Sequence, residues 1–337
     1  MKDLYLNLPP FAPDYGGVCE VLYELGGLVL IHDASGCTVN YVSFDEPRWH
    51  RSGGMVYSSG LTEIDAVMGN DDVLIEKALK AAEILHPSLI AYVGSSVPMI
   101  VGTDFDGIAA ETEARSGIPA FGFDANGIHS YICGASKAME ALVRRFAGEK
   151  TESRGTLILG LLPMDDADLN ASRRMIDLFE DRRAVLSLGC SLDDWKNAQN
   201  AQKCIVVSSA GLRAAEYLKQ TYGIPYETGL PLKPCRKQHS SLLVIGEDIR
   251  AHSMAQALGN ADALDLFSPD GLSRYHTADE DEIAGIISGY ENVIADPCFA
   301  PMVKGNFIPM PTVSVSGGIF RETVSVTDTE GIAQMLK

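Results

Sequence analysis

No CxxC pair occurs among the seven cysteines, which stand far apart at positions 19, 37, 133, 190, 204, 235 and 298. A zinc ribbon or a self-contained ferredoxin motif is therefore not expected. There is no GxxxxGK[ST], so no P-loop ATP hydrolysis is expected of this chain. No GxGxxG follows the first candidate strand, which argues against a bound dinucleotide, and no nucleotide is expected in this chain. HExxH and GxSxG are also missing, which counts against the common metal and serine hydrolases. No uninterrupted apolar run approaches the roughly 20 residues of a membrane helix. Positive charge is scarce: 27 Lys and Arg stand against 45 Asp and Glu, a formal net charge of −18. Such a surface repels nucleic acid and anionic lipid, and it also serves plain solubility. The opening Met1-Lys2-Asp3-Leu4-Tyr5-Leu6-Asn7-Leu8-Pro9-Pro10 has no long apolar core and no small-residue cleavage site. No secretory leader is expected from it, and an odd number of cysteines fits reduced thiols in the cytoplasm.

What the sequence does contain is enough for two or three cores: 337 residues, 46% of them apolar. Short apolar runs alternate with amphipathic segments, the pattern of βαβ units and parallel sheets. Candidate strands are 28–32, 89–94, 156–161, 204–208, 242–246 and 292–295. Candidate helices are 73–86, 104–116, 131–146, 169–180, 212–222, 249–258 and 280–288. The helix near Val73 is the clearest. Asn70, Asp71 and Asp72 can cap it, and Leu74, Ala78, Ala81 and Leu85 recur at spacings of three and four.

Two polar stretches suggest boundaries, Gly148–Gly155 and the proline-rich Leu230–His239. They divide the chain into an N-terminal α/β domain at 1–150, a middle Rossmann-like domain at 151–237 and a C-terminal one at 238–337. The expected fold is α/β: three Rossmann-like units with parallel sheets around a central cleft.

Several short motifs follow one another in order. His32-Asp33-Ala34-Ser35-Gly36-Cys37 ends the first apolar run. Next come Thr62-Glu63-Ile64-Asp65-Ala66-Val67-Met68-Gly69 and Ser95-Ser96-Val97-Pro98-Met99-Ile100-Val101-Gly102-Thr103-Asp104. Glu216–Tyr226 then closes a helix with Gly223-Ile224-Pro225, and Val293-Ile294-Ala295-Asp296-Pro297 closes a strand. In sequence and order these resemble the nitrogenase component 1-like superfamily: its His-Gly-x-x-Gly-Cys turn, its Thr-Glu-x-Asp-x-Val-x-Gly segment and its Ser-Thr-Cys-Pro turn. The superfamily includes nitrogenase, its cofactor-assembly scaffold, the dark protochlorophyllide reductases and the nickel-tetrapyrrole reductive cyclase.

The resemblance implies a redox subunit paired with another component 1 subunit, as a homodimer or a heterodimer. It implies electrons from an iron-protein-like ATPase reductase, and a [4Fe-4S] iron–sulfur cluster at the subunit interface. It places one cluster cysteine at Cys37. The other two positions fall near Pro10–Phe11 and at Ser96 or Val97, where this chain has no thiol. The middle-domain cysteine that anchors the catalytic metal cluster corresponds to Ser208 or Ser209, so a nitrogen-fixing metallocluster of the usual kind is not expected.

Cys37 is thus a candidate iron ligand, or else a small buried residue of a tight turn. Cys19 is a second candidate ligand, or else core; with Cys37 it would give four thiolates per pair of chains. His32 and Asp33 are candidate catalytic residues that orient substrate or donate protons, or else a satisfied turn pair. Tyr41–Arg51 mixes acids, bases and aromatics without helical period. It reads as a loop that contacts substrate or a sister subunit, or as plain surface. Asp124, Asn126 and His129 lie in a glycine-rich loop that turn chemistry alone explains. Cys298, after Asp296-Pro297, stands where a cleft can be lined. The function expected is a nitrogenase-like oxidoreductase component. The alternative is a non-catalytic carrier or scaffold for a metallocofactor or tetrapyrrole.

Overall fold

A computed structural model describes residues 5–51, 53–167, 169–179, 181–235, 241–259, 261–268, 271–317 and 328–336. Its strands form three wholly parallel sheets. The first, in the order β2-β1-β3-β4, joins β1 (Leu28–Ile31), β2 (Met55–Ser58), β3 (Ile90–Val93) and β4 (Ala120–Phe123). The second, β6-β5-β7-β8, joins β5 (Thr156–Leu161), β6 (Arg182–Ser187), β7 (Lys203–Val206) and β8 (Tyr226–Thr228). The third, β11-β10-β9-β12-β13, joins β9 (Leu242–Gly246), β10 (Asp262–Asp265), β11 (Tyr275–His276), β12 (Asn292–Ala295) and β13 (Asn306–Pro309). The segment 148–155 precedes the second sheet. The boundary expected at 237/238 lies outside the described residues, as does Glu180 at the end of one expected helix.

Central strands are apolar throughout because helices cover both faces of a parallel sheet. β1, β3, β5 and β9 are buried along their whole length. The cores are not one per unit. One apolar cluster runs from the first sheet into the second, joining Val29, Ala91 and Met139 to Leu157 and Trp195. Another runs from the second into the third, joining Ile158 and Val207 to Val244 and Met254. The three units therefore share their interiors.

Two helices make the tightest crossing. Asp14–Leu22 is buried at every residue and lies against Tyr131–Phe146. Gly17 and Gly134 sit at the contact. A Cβ at Gly17 would stand 1.9 Å from the Tyr131 carbonyl oxygen, and one at Gly134 would stand 1.8 Å from that of Asp14. Helix Asp71–Leu85 buries Leu74 and Ala78 as the sequence suggested. Asn70, however, does not cap it with its side chain; that amide donates to Asp65 Oδ1 at 3.2 Å. Among the described residues, no helix is long and apolar enough to cross a membrane.

Candidate active-site cleft

Parallel pairing brings the carboxyl ends of β1, β2 and β3 level, with Ile31 beside Ser58 and Val93. Ligand sites of α/β sheets lie at such ends. The chain leaves β1 through His32 and Asp33, passes Ser35 in the left-handed region at φ 87°, and enters the short helix Gly36–Asn40. Asp33 holds this turn. Its carboxylate accepts from the Thr38 amide and hydroxyl, both at 3.0 Å, and from the Ser58 hydroxyl at 2.6 Å. His32 Nδ1 is 2.8 Å from Ser59 Oγ, and burial lowers its basicity.

Cys37 opens onto a cleft of about 700 Å³. One wall is the segment 5–13, with Tyr15 behind it. Another is the Cys37 turn with Asp45 and Ser96, and the third comes from the last unit as Cys298 and residues 313–317. Glu280 fastens the first wall: its carboxylate accepts from the backbone amides of Leu6, Asn7 and Leu8.

Tyr15 lines the cleft with Cys37, and the Ser95 hydroxyl donates to the His32 carbonyl at 2.8 Å, which ties the end of β3 to the Cys37 turn. Burial, with Asp33 adding to it, raises the pKa of the Cys37 thiol. Burial and Asp296 push Cys298 up to about 12. Both thiols are therefore protonated at neutral pH, and a metal that binds them must displace protons. Asp45 is lifted to about 7 by burial and by Glu46. It is the cleft group whose charge changes near neutrality.

Of the residues proposed from sequence, the cleft gathers Cys37 and Ser96, together with Pro10 and Phe11. Cys19 is elsewhere: it has no exposed surface, belongs to the core, and its thiol is raised well above the usual value by burial. Ser208 and Ser209 follow β7, where the buried Ser208 hydroxyl accepts from the Ala210 amide. The Ser209 amide donates to Glu247 Oε1 at 2.7 Å. Asp45 joins the site from the Tyr41–Arg51 segment, and Cys298 from a strand end, both positions the sequence pointed to; Tyr15 joins it from a helix that no motif ties to Cys37.

The segment 41–51 is only partly a surface loop: Phe44, His50 and Arg51 are exposed, Phe44 and Asp45 line the cleft, and Tyr41, Glu46 and Arg48 are buried. Tyr41–Asp45 is a single π-helical turn, a form frequent at functional sites. Behind it Arg48 is 2% exposed and forks onto Glu46, with Nε–Oε1 and Nη2–Oε2 both 2.8 Å. Its Nη1 reaches Glu24 at 3.0 Å, its Nη2 donates to the Glu20 carbonyl at 2.8 Å, and its guanidinium lies 4.5 Å over the Tyr23 ring. Tyr41 donates to Glu46 at 2.6 Å. The acids and aromatics read as a contact surface are thus mostly turned inward, where they build the floor beneath Asp45.

A second cavity of about 30 Å³ lies where all three units meet, lined by Tyr131, Asp165, Asp166, Glu247, Arg250 and Thr312 among others. Its size suits one ordered water. Arg250 pairs with Asp166 and lies 3.7 Å from Asp165 Oδ2. Burial outweighs that guanidinium and, with Glu247, lifts Asp165 to about 8 from 3.8. The folded chain thus binds a proton here that the unfolded chain has released. This contribution to stability is complete below about pH 4 and is lost as pH rises through about 8. Urea midpoints are expected to fall between pH 6 and pH 9, and Asp165→Asn to flatten that fall. An unchanged slope in the variant would show that other groups set it.

Three comparisons bear on this geometry. The family model of nitrogenase component 1 type oxidoreductases matches residues 18–234, the first two units with Cys37 and Ser96. The nitrogenase molybdenum-iron protein beta chain of Methanothermobacter thermautotrophicus is 21% identical over 271 residues, 68% of this chain and 57% of that one. The nitrogenase iron-molybdenum cofactor biosynthesis protein NifE of Rhodobacter capsulatus is 24% identical over 212 residues, 59% of this chain and 44% of that one. CfbD of M. thermautotrophicus, a component of the Ni-sirohydrochlorin a,c-diamide reductive cyclase complex, is 32% identical over 108 residues, 31% of this chain and 28% of that one. The chain spans about half the length, or less, of these curated relatives. A solved structure of nitrogenase Cp1 at pH 6.5 superposes with a TM-score of 0.70 at 13% identity, over 99% of this chain and 93% of that one. That likeness is one of fold.

Proposed function

The chain belongs to the nitrogenase component 1 type oxidoreductase family, and on that premise we propose that it is a redox subunit with the Cys37 cleft as its working site. One observation carries this reading. The three places to which the resemblance assigns cluster cysteines, near Pro10–Phe11, at Cys37 and at Ser96, converge on one cleft although they lie far apart in sequence. The proposed partner is a second component 1 subunit, the same chain or a related one, and the proposed electron donor is an iron-protein-like ATPase. Two relatives are by name a beta chain and a complex component, which supports a partner subunit.

A [4Fe-4S] cluster takes four thiolates. The cleft of one chain holds two, Cys37 and Cys298, so one chain alone does not fit such a cluster. Two chains that face each other across the cleft supply four. The cluster would serve as an electron relay. The residues of this chain would then act around it. Asp33 fixes the turn through Thr38 and Ser58, Ser95 ties it to the end of β3, and Tyr15 lines the cleft beside Cys37. Asp45 holds a proton at the cleft wall for a substrate that takes up electrons. His32, fixed by Ser59, is the further proton-carrying group behind the turn.

Iron and sulfide analysis of protein made without oxygen, with its partner chains present, tests the assignment. Wild type is expected to carry iron and sulfide. Cys37→Ala is expected to lose most of both while keeping its fold, and Cys235→Ala to lose neither. Equal iron in wild type and Cys37→Ala would sink the reading. The missing thiols at Pro10–Phe11 and Ser96 favour the second reading, a carrier for a metallocofactor or tetrapyrrole. A chain without visible absorption of its own, which gains it only on adding such a cofactor, is the outcome that reading expects.

A further inference from the structure

The last unit has the strand order 3-2-1-4-5 of a nucleotide-binding half-fold, counting β9 as its first strand. In such folds the turn after strand 1 offers bare backbone amides to a phosphate, and an acid at the end of strand 2 takes a ribose hydroxyl. Here the turn reads Gly246-Glu247-Asp248, and both acids are buried. The Glu247 carboxylate already accepts from the Arg250 amide at 3.1 Å. An anion is repelled from this end of the helix Asp248–Ala257, and the position has been turned towards cations.

Asp248, Asp265 at the end of β10 and His276 at the end of β11 each bring one ligand atom within 4.8 Å of the others. An ion about 2.0–2.6 Å from each atom spans separations of that size. The carboxylates are fixed from outside. Asp248 accepts from the amides of Leu272 and Ser273, and Asp265 from those of Phe267 and Ser268. Asp248 Oδ2 and both Asp265 oxygens each keep a lone pair beyond these bonds.

The imidazole supplies an independent observation. Its Nε2 lies 2.9 Å from the Ser273 carbonyl oxygen, which can only accept, so Nε2 carries the hydrogen. In the neutral ring Nδ1 then presents a lone pair, and it faces Asp265 Oδ2 at 3.5 Å. Such a contact is bridged either by a proton or by a metal ion, and the second carboxylate, Asp248, stands within reach of the same point. A histidine that gives one ring N–H to a backbone carbonyl and turns the other nitrogen to carboxylates has the outer support typical of a metal ligand. Charge argues the same way. Among the described residues Arg48 and Arg250 are the only buried arginines or lysines, and Arg250 is paired with Asp166.

We propose that Asp248, Asp265 and His276 bind a divalent transition-metal ion, which clips the end of β11 and the end of β10 to the start of the helix after β9. One imidazole with two carboxylates favours manganese(II), iron(II) or zinc(II) over magnesium or calcium. The site is separate from the Cys37 cleft, and it stands whether or not a cluster binds there.

Manganese(II) is the probe, because it is a poor match for the cleft thiols. Full-length chain is freed of metal with a chelator, titrated with manganese(II) and read by pulsed electron paramagnetic resonance. The expected result is one tightly held ion per chain, with a nitrogen hyperfine coupling from a single imidazole and a melting temperature that rises to saturation at one equivalent. His276→Gln should abolish the coupling and weaken binding at least about tenfold, the range seen when metal-site partners are lost. Asp265→Asn should weaken it as well. An imidazolium paired with the two carboxylates is the competing way to fill the gap. It predicts no nitrogen coupling and no thermal shift in wild type at saturating manganese(II), and that outcome overturns the proposal without reference to any variant.

Discussion

Replacing Arg48 with methionine is expected to destabilise the chain by about 3–5 kcal/mol, the cost of removing one partner from a buried ion pair. Methionine fills much of the same space but leaves the Glu46 carboxylate buried with only the Tyr41 hydroxyl and the backbone amide of residue 48 as donors, both guanidinium donors being lost. It also strands the Glu20 carbonyl and removes the cation over Tyr23. Lysine is expected to rescue little, because an ammonium cannot fork onto both oxygens of Glu46 while reaching Glu24. The double variant Arg48→Met/Glu46→Gln should regain part of the loss, since the unpaired charge goes with Glu46. Urea midpoints at constant slope measure all three. A loss below about 1 kcal/mol for Arg48→Met, the value of an exposed pair, would show that the cluster is open to water.

Gly134→Ala is expected to cost about 3 kcal/mol or more, or to prevent folding, by forcing apart two packed helices. Exposed helix interiors behave the opposite way: alanine there gains about 0.5–1 kcal/mol over glycine. The sign reverses here because the new Cβ would meet the Asp14 carbonyl oxygen, backbone that no rotamer change can move aside. Gly285, in the helix Glu280–Ile287, is the matched control: a Cβ there would stand in open space, with no atom within 4 Å. Gly285→Ala should be slightly more stable than wild type. Equal stability of Gly134→Ala and wild type would mean that the crossing is looser than described.

Much of the fold could be read from residues alone, for a physical reason. Leu28–Ile31, Thr156–Leu161 and Leu242–Gly246 are central strands, apolar on both faces, and they stand out as unbroken runs. The strands that escaped notice lie away from the sheet centres or are mixed in character. β6 begins with Arg182 and Arg183, β8 is three residues long and partly exposed, and β10 is bracketed by Asp262 and Asp265. Their identity comes from what they pair with, which no local window contains. The site divides in the same way. Cys37 was visible because its turn is local. Tyr15 reaches it from a separate helix, and Cys298 through packing between distant parts of the chain. The inward turn of Glu46 and Arg48 was hidden because the two pair with each other and with Glu24. A paired charge can be buried, whereas composition alone suggests that charge stays in water.

The grip of Glu280 on residues 6–8 has a consequence for how the molecule is made. A ribosome delivers residues 5–13 long before Glu280, Cys298 and residues 313–317. The first sheet and the helices around it can collapse early, since their contacts are local by comparison. The wall at 5–13 has to wait, loosely held, until the last unit emerges. The cleft therefore closes only after the last unit emerges, and any group destined for it meets an open site before that point and a walled one afterwards.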